Sequence, residues 1–173
     1  MANNLRFEVF DISNSQHVNA ALLAKQWQDE EKPRMLPLGP DEMAEHVYGL
    51  MTFNTEANYY VGYSAVTFEF EGGILEVGGL FVGPSFRGRG IAKEIMIEIL
   101  NRSSQHFPQK QLLTFVNEDS EHLFRELGFV DGGIETVPPA ALEVCRKCPE
   151  FNNLELGRLC CDKVLIYQPT TQQ

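Results

Sequence analysis

The stretch that decides the fold is Val82-Gly-Pro-Ser-Phe-Arg-Gly-Arg-Gly-Ile-Ala92, followed at once by Lys93-Glu-Ile-Met-Ile-Glu-Ile-Leu100. The apolar run from Ile74 to Val82 reads as a strand, the glycine- and arginine-rich segment ends it, and a helical spacing of apolar residues begins. A strand, a glycine turn and a helix N-terminus in succession make an anion site. Backbone N–H groups point out of such a turn, and the positive end of the helix dipole adds to them. Gly88 and Gly90 allow the turn and a close approach to the backbone. Arg87 and Arg89 bring mobile positive charge and forked donors.

Outward from this turn, the charge is uneven. The chain has 173 residues and a net charge of −10. Residues 1–80 carry 4 Lys/Arg against 12 Asp/Glu, residues 81–112 carry 5 against 2, and residues 113–173 carry 5 against 10. A basic island in an acidic chain suits an anionic ligand at one place; the acidic remainder disfavours nucleic acid and favours a cationic second ligand, or serves solubility alone. A hydrophobic content of 43% over this length supports one well-buried core, so residues 1–173 are expected to form a single domain. No apolar run is long enough for a membrane span, and Met1-Ala-Asn-Asn-Leu-Arg6 lacks the basic and apolar regions of a signal peptide. A cytoplasmic protein is the expectation.

Leu5–Phe10 alternates like an opening strand, and Asn14-Ser15 precedes a helix carrying Val18, Ala21, Leu22, Leu23 and Trp27. Three prolines between Lys32 and Pro40 mark a loop, and Asp41 is the expected cap of a short helix through His46. Gly49–Phe53 and Tyr59–Phe68 read as a hairpin, with Glu71-Gly-Gly73 turning the chain into the strand Ile74–Val82. After a helix over 91–103 come a strand at Gln111–Val116, a helix from Asp119 to Leu127 stopped by Gly128, and a strand from Phe129 to Val137. A short helix opens at Pro138-Pro139, and Lys163–Tyr167 is the last strand. The pattern predicts an α/β chain with a mixed sheet.

These residues resemble the GNAT superfamily of acetyl-CoA-dependent N-acetyltransferases. The family's Arg/Gln-x-x-Gly-x-Gly/Ala signature is matched by Arg87-Gly-Arg-Gly90-Ile-Ala92. An Asn, a small residue three positions on and a Tyr seven positions on are matched by Asn117, Ser120 and, in place of the Tyr, Phe124; Glu126-Leu-Gly-Phe129 is similar to the family's Lys-Leu-Gly-Phe. The resemblance covers roughly residues 5–137. It implies the acyl-CoA N-acyltransferase fold, a mostly antiparallel central sheet flanked by helices and splayed between the strands at 74–82 and 111–116. It also implies acetyl-CoA as donor, its pyrophosphate on the backbone of Gly88, Arg89, Gly90, Ile91 and Ala92 with Arg87 and Arg89 neutralising charge. Its pantetheine arm would pair with Leu80, Phe81 and Val82 like an added strand. Asn117 would contact the arm, although an Asn there also suits a helix cap. Gly78-Gly79 within the strand suggests a bulge.

Acetyl transfer to an amine needs a deprotonated nucleophile, a stabilised oxyanion and a fate for the thiolate. The tyrosine that protonates the thiolate in many relatives is Phe124 here, placed at the cofactor but without a proton to give. Tyr59, Tyr60 and Tyr63 read as packing residues, and His17, His46, His106 and His122 as surface residues with no metal-binding spacing. Glu76 is the candidate general base, direct or through water, where relatives often place a carboxylate; a solvent-facing strand glutamate is the competing reading. The acceptor is expected to be a cationic primary amine, a small molecule or a protein lysine, with no nucleic acid or membrane partner and room for a homodimer. A non-catalytic acyl-CoA-binding or interaction module on the same fold is the rival. The insert at about 138–162 holds Cys145, Cys148, Cys160 and Cys161, open to three readings: buried or free thiols, a structural zinc, or a disulfide. No metal site is among the expectations for the reaction.

Overall fold

The computed structural model describes residues 4–31, 38–133, 137–146 and 163–168. Their elements are β1 (Leu5–Val9), α1 (Ser15–Glu31), α2 (Pro40–Glu45), β2 (Tyr48–Asn54), β3 (Tyr60–Phe70), β4 (Ile74–Val82), α3 (Ile91–His106), β5 (Gln111–Val116), α4 (Glu118–Glu126), β6 (Phe129–Asp131), α5 (Pro139–Arg146) and β7 (Lys163–Tyr167). The strands form one sheet in the order β1-β2-β3-β4-β5-β7-β6, and β4–β5 is its one parallel pair among the described residues. This is the mixed sheet that the pattern of elements predicts, mostly antiparallel as the resemblance implies.

Local chemistry sets the element ends. The Asn14 side chain accepts the Gln16 N–H at 2.9 Å and opens α1. α2 begins at Pro40, not under an Asp41 cap. Gly39 is its N-cap, and Glu42 reaches back to accept the Gly39 N–H at 3.0 Å. Proline suits that first position because its missing N–H would have no partner there. α3 runs three residues beyond the expected end, to His106. β6 is shorter than the expected strand: it stops at Asp131, before Gly132-Gly133, and residues 134–136 lie outside the described ones.

Two cores sandwich the sheet. On one face Leu50, Val66, Leu75 and Val77 meet Met96, Ile99 and Leu100 of α3 and Phe124 of α4. On the other, Met51, Phe53, Tyr63, Ala65 and Phe81 meet Ala20, Ala21 and Ala24 of α1 and Met43 of α2. The alanines on α1 let that helix lie close to the large aromatic side chains below it.

Two irregularities shape β4. Opposite β3 residues 63–65, β4 spends residues 78–81, one extra, and Gly79 takes a left-handed φ of +61°. One step on, β3 carries the extra residue, between Val66 and Phe68, and register is restored. The expected bulge at Gly78-Gly79 is present. The ladder between β4 and β5 holds only three pairs, Ile74 with Gln111, Leu75 with Leu112 and Glu76 with Leu113.

Gly49 shows how tightly this region is packed: a Cβ there would lie 2.1 Å from the Tyr63 hydroxyl oxygen. Gly49→Ala is expected to lose about 2–3 kcal/mol in urea denaturation by overpacking, and less when combined with Tyr63→Phe, which removes the atom in the way.

Candidate active site

The Arg87–Ala92 turn takes the form an anion needs. Pro84–Phe86 make one turn of 3₁₀ helix, then Gly88 and Gly90 adopt φ values of +73° and +78°, which other residues rarely reach. Gly90 is the N-cap of α3 and supplies no side-chain cap, so the first N–H groups of the helix, which have no partner within it, face outward. No heavy atom lies within 4 Å of a Cβ position on Gly88 or Gly90. The space above the turn is open at both glycines.

The arginines also hold the turn. Arg87 Nε donates to the Val82 carbonyl at 2.9 Å, with its guanidinium 5.6 Å from the centre of the Phe81 ring. Arg89 donates to the Ser85 carbonyl at 3.0 Å and lies over Phe86. The carbonyl of Val82, expected to serve the pantetheine arm, is therefore bonded to Arg87. Leu80 is half-buried and packs toward α3, whereas Phe81 and Val82 are buried, Phe81 against Trp27 and Val82 against Ile91 and Ile95. Gly83 lets the indole of Trp27 come within 2.5 Å of where a Cβ would stand.

Asn117 ends β5 and is the N-cap of α4: its side-chain oxygen accepts the Ser120 N–H at 3.1 Å, and Ser120 Oγ accepts the Asn117 N–H at 3.2 Å. The cap reading of Asn117 holds, and the amide NH2 remains for a ligand. Phe124 is 4% exposed and lies edge-on to Phe129 at 5.2 Å. Its ring is part of the core, worth about 1.5–3 kcal/mol of burial.

Glu76 lies where β4 and β5 stop pairing. Its Oε1 is 3.5 Å from the Cβ position of Gly78, so the carboxylate lies over the glycine pair, beside Thr67. Burial pushes its carboxyl up to about 7, against a smaller downward pull from the Thr67 hydroxyl. Glu76 is half-buried, so it is not the freely solvent-facing strand glutamate of the competing reading.

Two histidines depart from the surface reading. His17 is 3% exposed; its Nδ1 accepts the Asp11 N–H at 3.1 Å and its Nε2 faces Glu8 at 2.8 Å, between the rings of Phe10 and Phe53. It ties β1 to α1. His46 follows α2, with Nδ1 2.8 Å from the Tyr63 hydroxyl. Tyr60 and Tyr63 are buried and Tyr59 stacks on Phe86, as packing residues do. Cys145 lies on α5, and Cys148, Cys160 and Cys161 lie outside the described residues. Among the described residues there is no group of three His, Cys, Asp or Glu side chains placed to hold a metal, and no helix long and apolar enough to cross a membrane.

The model of the GNAT acetyltransferase family matches residues 8–129, and the chain belongs to that family. Solved structures repeat the fold at low identity. The catalytic domain of the Tetrahymena GCN5 histone acetyltransferase, in complex with coenzyme A, is 14% identical with a TM-score of 0.61, covering 99% of this chain and 98% of that one. A GNAT acetyltransferase from Elizabethkingia anophelis with acetyl-CoA bound is 13% identical with a TM-score of 0.61, covering 96% and 99%. N-acetylglutamate synthase from Neisseria gonorrhoeae, complexed with coenzyme A and N-acetyl-glutamate, is 14% identical with a TM-score of 0.63; 94% of this chain spans 35% of that one. No curated protein matches the sequence. Acetyl-CoA is the donor substrate consistent with this family and these neighbours.

The raised Glu76 carboxyl has a cost. The folded state keeps a proton up to about pH 7 that the unfolded chain releases near 4.5, so stability falls as pH rises between those values and is level above. Glu76→Gln should therefore melt higher than the parent at pH 8, by on the order of 2–3 kcal/mol, and equal to it at pH 4. Equal melting at pH 8 would show a freely solvated carboxylate.

Proposed function

We propose that this chain is an N-acetyltransferase that moves an acetyl group from acetyl-CoA to a primary amine by direct attack. The observation that carries the reading is the place of the Glu76 carboxyl where the β4–β5 ladder ends, on the strand that leads into the glycine turn, with burial raising it to about 7.

In this account the backbone of Gly88 to Ala92 and the start of α3 hold the pyrophosphate, and Arg87 and Arg89 offset its charge. The pantetheine arm lies along β4 at Leu80–Val82, with Asn117 on the opposite side of the opening. The thioester then lies near Glu76, and holding both reactants there supplies orientation. Glu76, as carboxylate, takes a proton from the ammonium form of the acceptor, directly or through water. The free amine attacks the carbonyl carbon, the C–N bond forms and the C–S bond breaks, and the proton lost by the attacking nitrogen passes through water to the departing thiolate, leaving the amide and the coenzyme A thiol. A thiolate is a far weaker base than an alkoxide and so a competent leaving group without a proton donor at its side, so Phe124 need not be a tyrosine. An acidic chain with one basic island favours a cationic acceptor.

The rival, a non-catalytic acyl-CoA-binding module, rests on Phe124. A neutral-pKa carboxyl kept at a cost in stability favours catalysis. Coenzyme A release across an amine panel should show kcat/KM rising with pH through an acid limb near 7. Glu76→Gln should lower kcat by about 10²–10⁴-fold and abolish that limb, with the KM for acetyl-CoA little changed. Retention of both rate and limb would remove Glu76 from the reaction.

A further inference from the structure

Gly78 and Gly79 leave a notch on the face of β4 that carries Glu76. Its bulge puts two successive Cβ positions on that face: the one at Gly78 meets Glu76 Oε1 at 3.5 Å and Thr67 Cγ2 at 3.7 Å. The one at Gly79 meets Tyr63 Cε1 at 3.6 Å, His46 Cε1 at 3.7 Å and Leu38 Cδ2 at 3.7 Å. A carboxylate thus borders one side of the notch and an imidazole the other, across two residues whose Cα atoms are about 3.8 Å apart.

That imidazole is held in one orientation and one proton arrangement. Tyr63 is fully buried, and its hydroxyl occupies the place where Gly49 lacks a side chain. Burial keeps the phenol protonated, so its proton goes to the group 2.8 Å away, His46 Nδ1. Burial also drives the imidazole down to about 4, despite Glu42, so it is neutral at physiological pH. With Nδ1 accepting, the ring's own proton is on Nε2, which has no hydrogen-bond partner among the described residues. On its other side the ring lines a cavity of about 310 Å³ with Val9, Ile12, Met43, Val47 and Gly49.

We propose that His46, oriented by Tyr63, is an acceptor-reading residue whose Nε2–H donates to an oxygen next to the reacting amine, so that the chain selects α-amino amides such as a peptide N-terminus over plain alkylamines. This rests on the acetyltransferase reading. A lone neutral donor matches a carbonyl oxygen, and Glu76 opposite matches the amine beside it. In an α-amino amide the carbonyl oxygen lies three bonds from the amine nitrogen, so one small group presents an acceptor and an amine side by side, as the two walls require. A free carboxylate is disfavoured by Glu76 and the acidic surroundings, and a polyamine or a lysine side chain has no oxygen to offer.

The test pairs alaninamide with isopropylamine, which has a methyl in place of the carboxamide. The readout is the ratio of their kcat/KM values in each variant, because the amines' own basicity cancels between variants. His46→Phe keeps a flat ring against Tyr63. It should lower the alaninamide-to-isopropylamine ratio about tenfold or more, through the acceptor KM, with the KM for acetyl-CoA unchanged. His46→Phe combined with Tyr63→Phe removes the hydroxyl left without an acceptor, and should show the same fall in a protein of sound melting temperature. An unchanged ratio in both variants overturns the proposal while leaving the acetyltransferase reading intact. If no amine of the wider panel releases coenzyme A, that reading fails instead. Melting shifts with coenzyme A and each amine then decide: a shift by alaninamide alone, lost in the variants, supports His46, and no difference overturns it.

Discussion

The rest of the structure depends on how β4 is paired. It runs beside β3 for its full length, with one bulge, and shares only three register pairs with β5. Every backbone group must find a partner or face solvent. Past Glu76 and Leu113, β4 and β5 give each other no register partners, so a ligand with amide groups has room to pair there. β4 ends in the glycine turn that opens α3, so the outward-facing N–H groups at the start of that helix lie at the end of the same strand.

Gly78-Gly79 adapts that strand to chemistry. The bulge restores register through a compensating extra residue in β3, so the distortion stays local. It also clears the space beside Glu76. Burial that raises the Glu76 carboxyl to about 7 is unfavourable for the fold above neutrality, a cost that the proposed role as a base accounts for. The Tyr63–His46 pair on the other side is organised in the same way, with Gly49 giving up a side chain so that one hydroxyl can sit under one imidazole.

The parts legible in the sequence are those carried by short-range patterns. The turn at Arg87–Ala92, the cap at Asn117 and the stop at Gly128 are each set by a few neighbouring residues with narrow backbone preferences. Glu76 was readable as a candidate from its place before a glycine pair. Its burial is not, because that depends on how β3 pairs with β4 and sets Thr67 beside the carboxylate. His46, Tyr63 and Gly49 lie on three elements, and nothing in their spacing links them. His17 was missed for the same reason: its partners come from β1 and the loop after it, and a lone histidine between Gln16 and Val18 has no local sign of burial. Phe124 was legible as a departure from the family pattern, but its place in the core against Phe129 is a contact between α4 and the strand that follows.

The central claim is that the opening beside β4 and the turn that follows hold the donor. Amide hydrogen exchange with and without coenzyme A tests it most directly. The account predicts slowed exchange confined to residues 78–92 and the start of α4 near Asn117, with little change in β1 and β2. Coenzyme A binding that leaves 78–92 unprotected, or protects the β1–β2 edge instead, would contradict it.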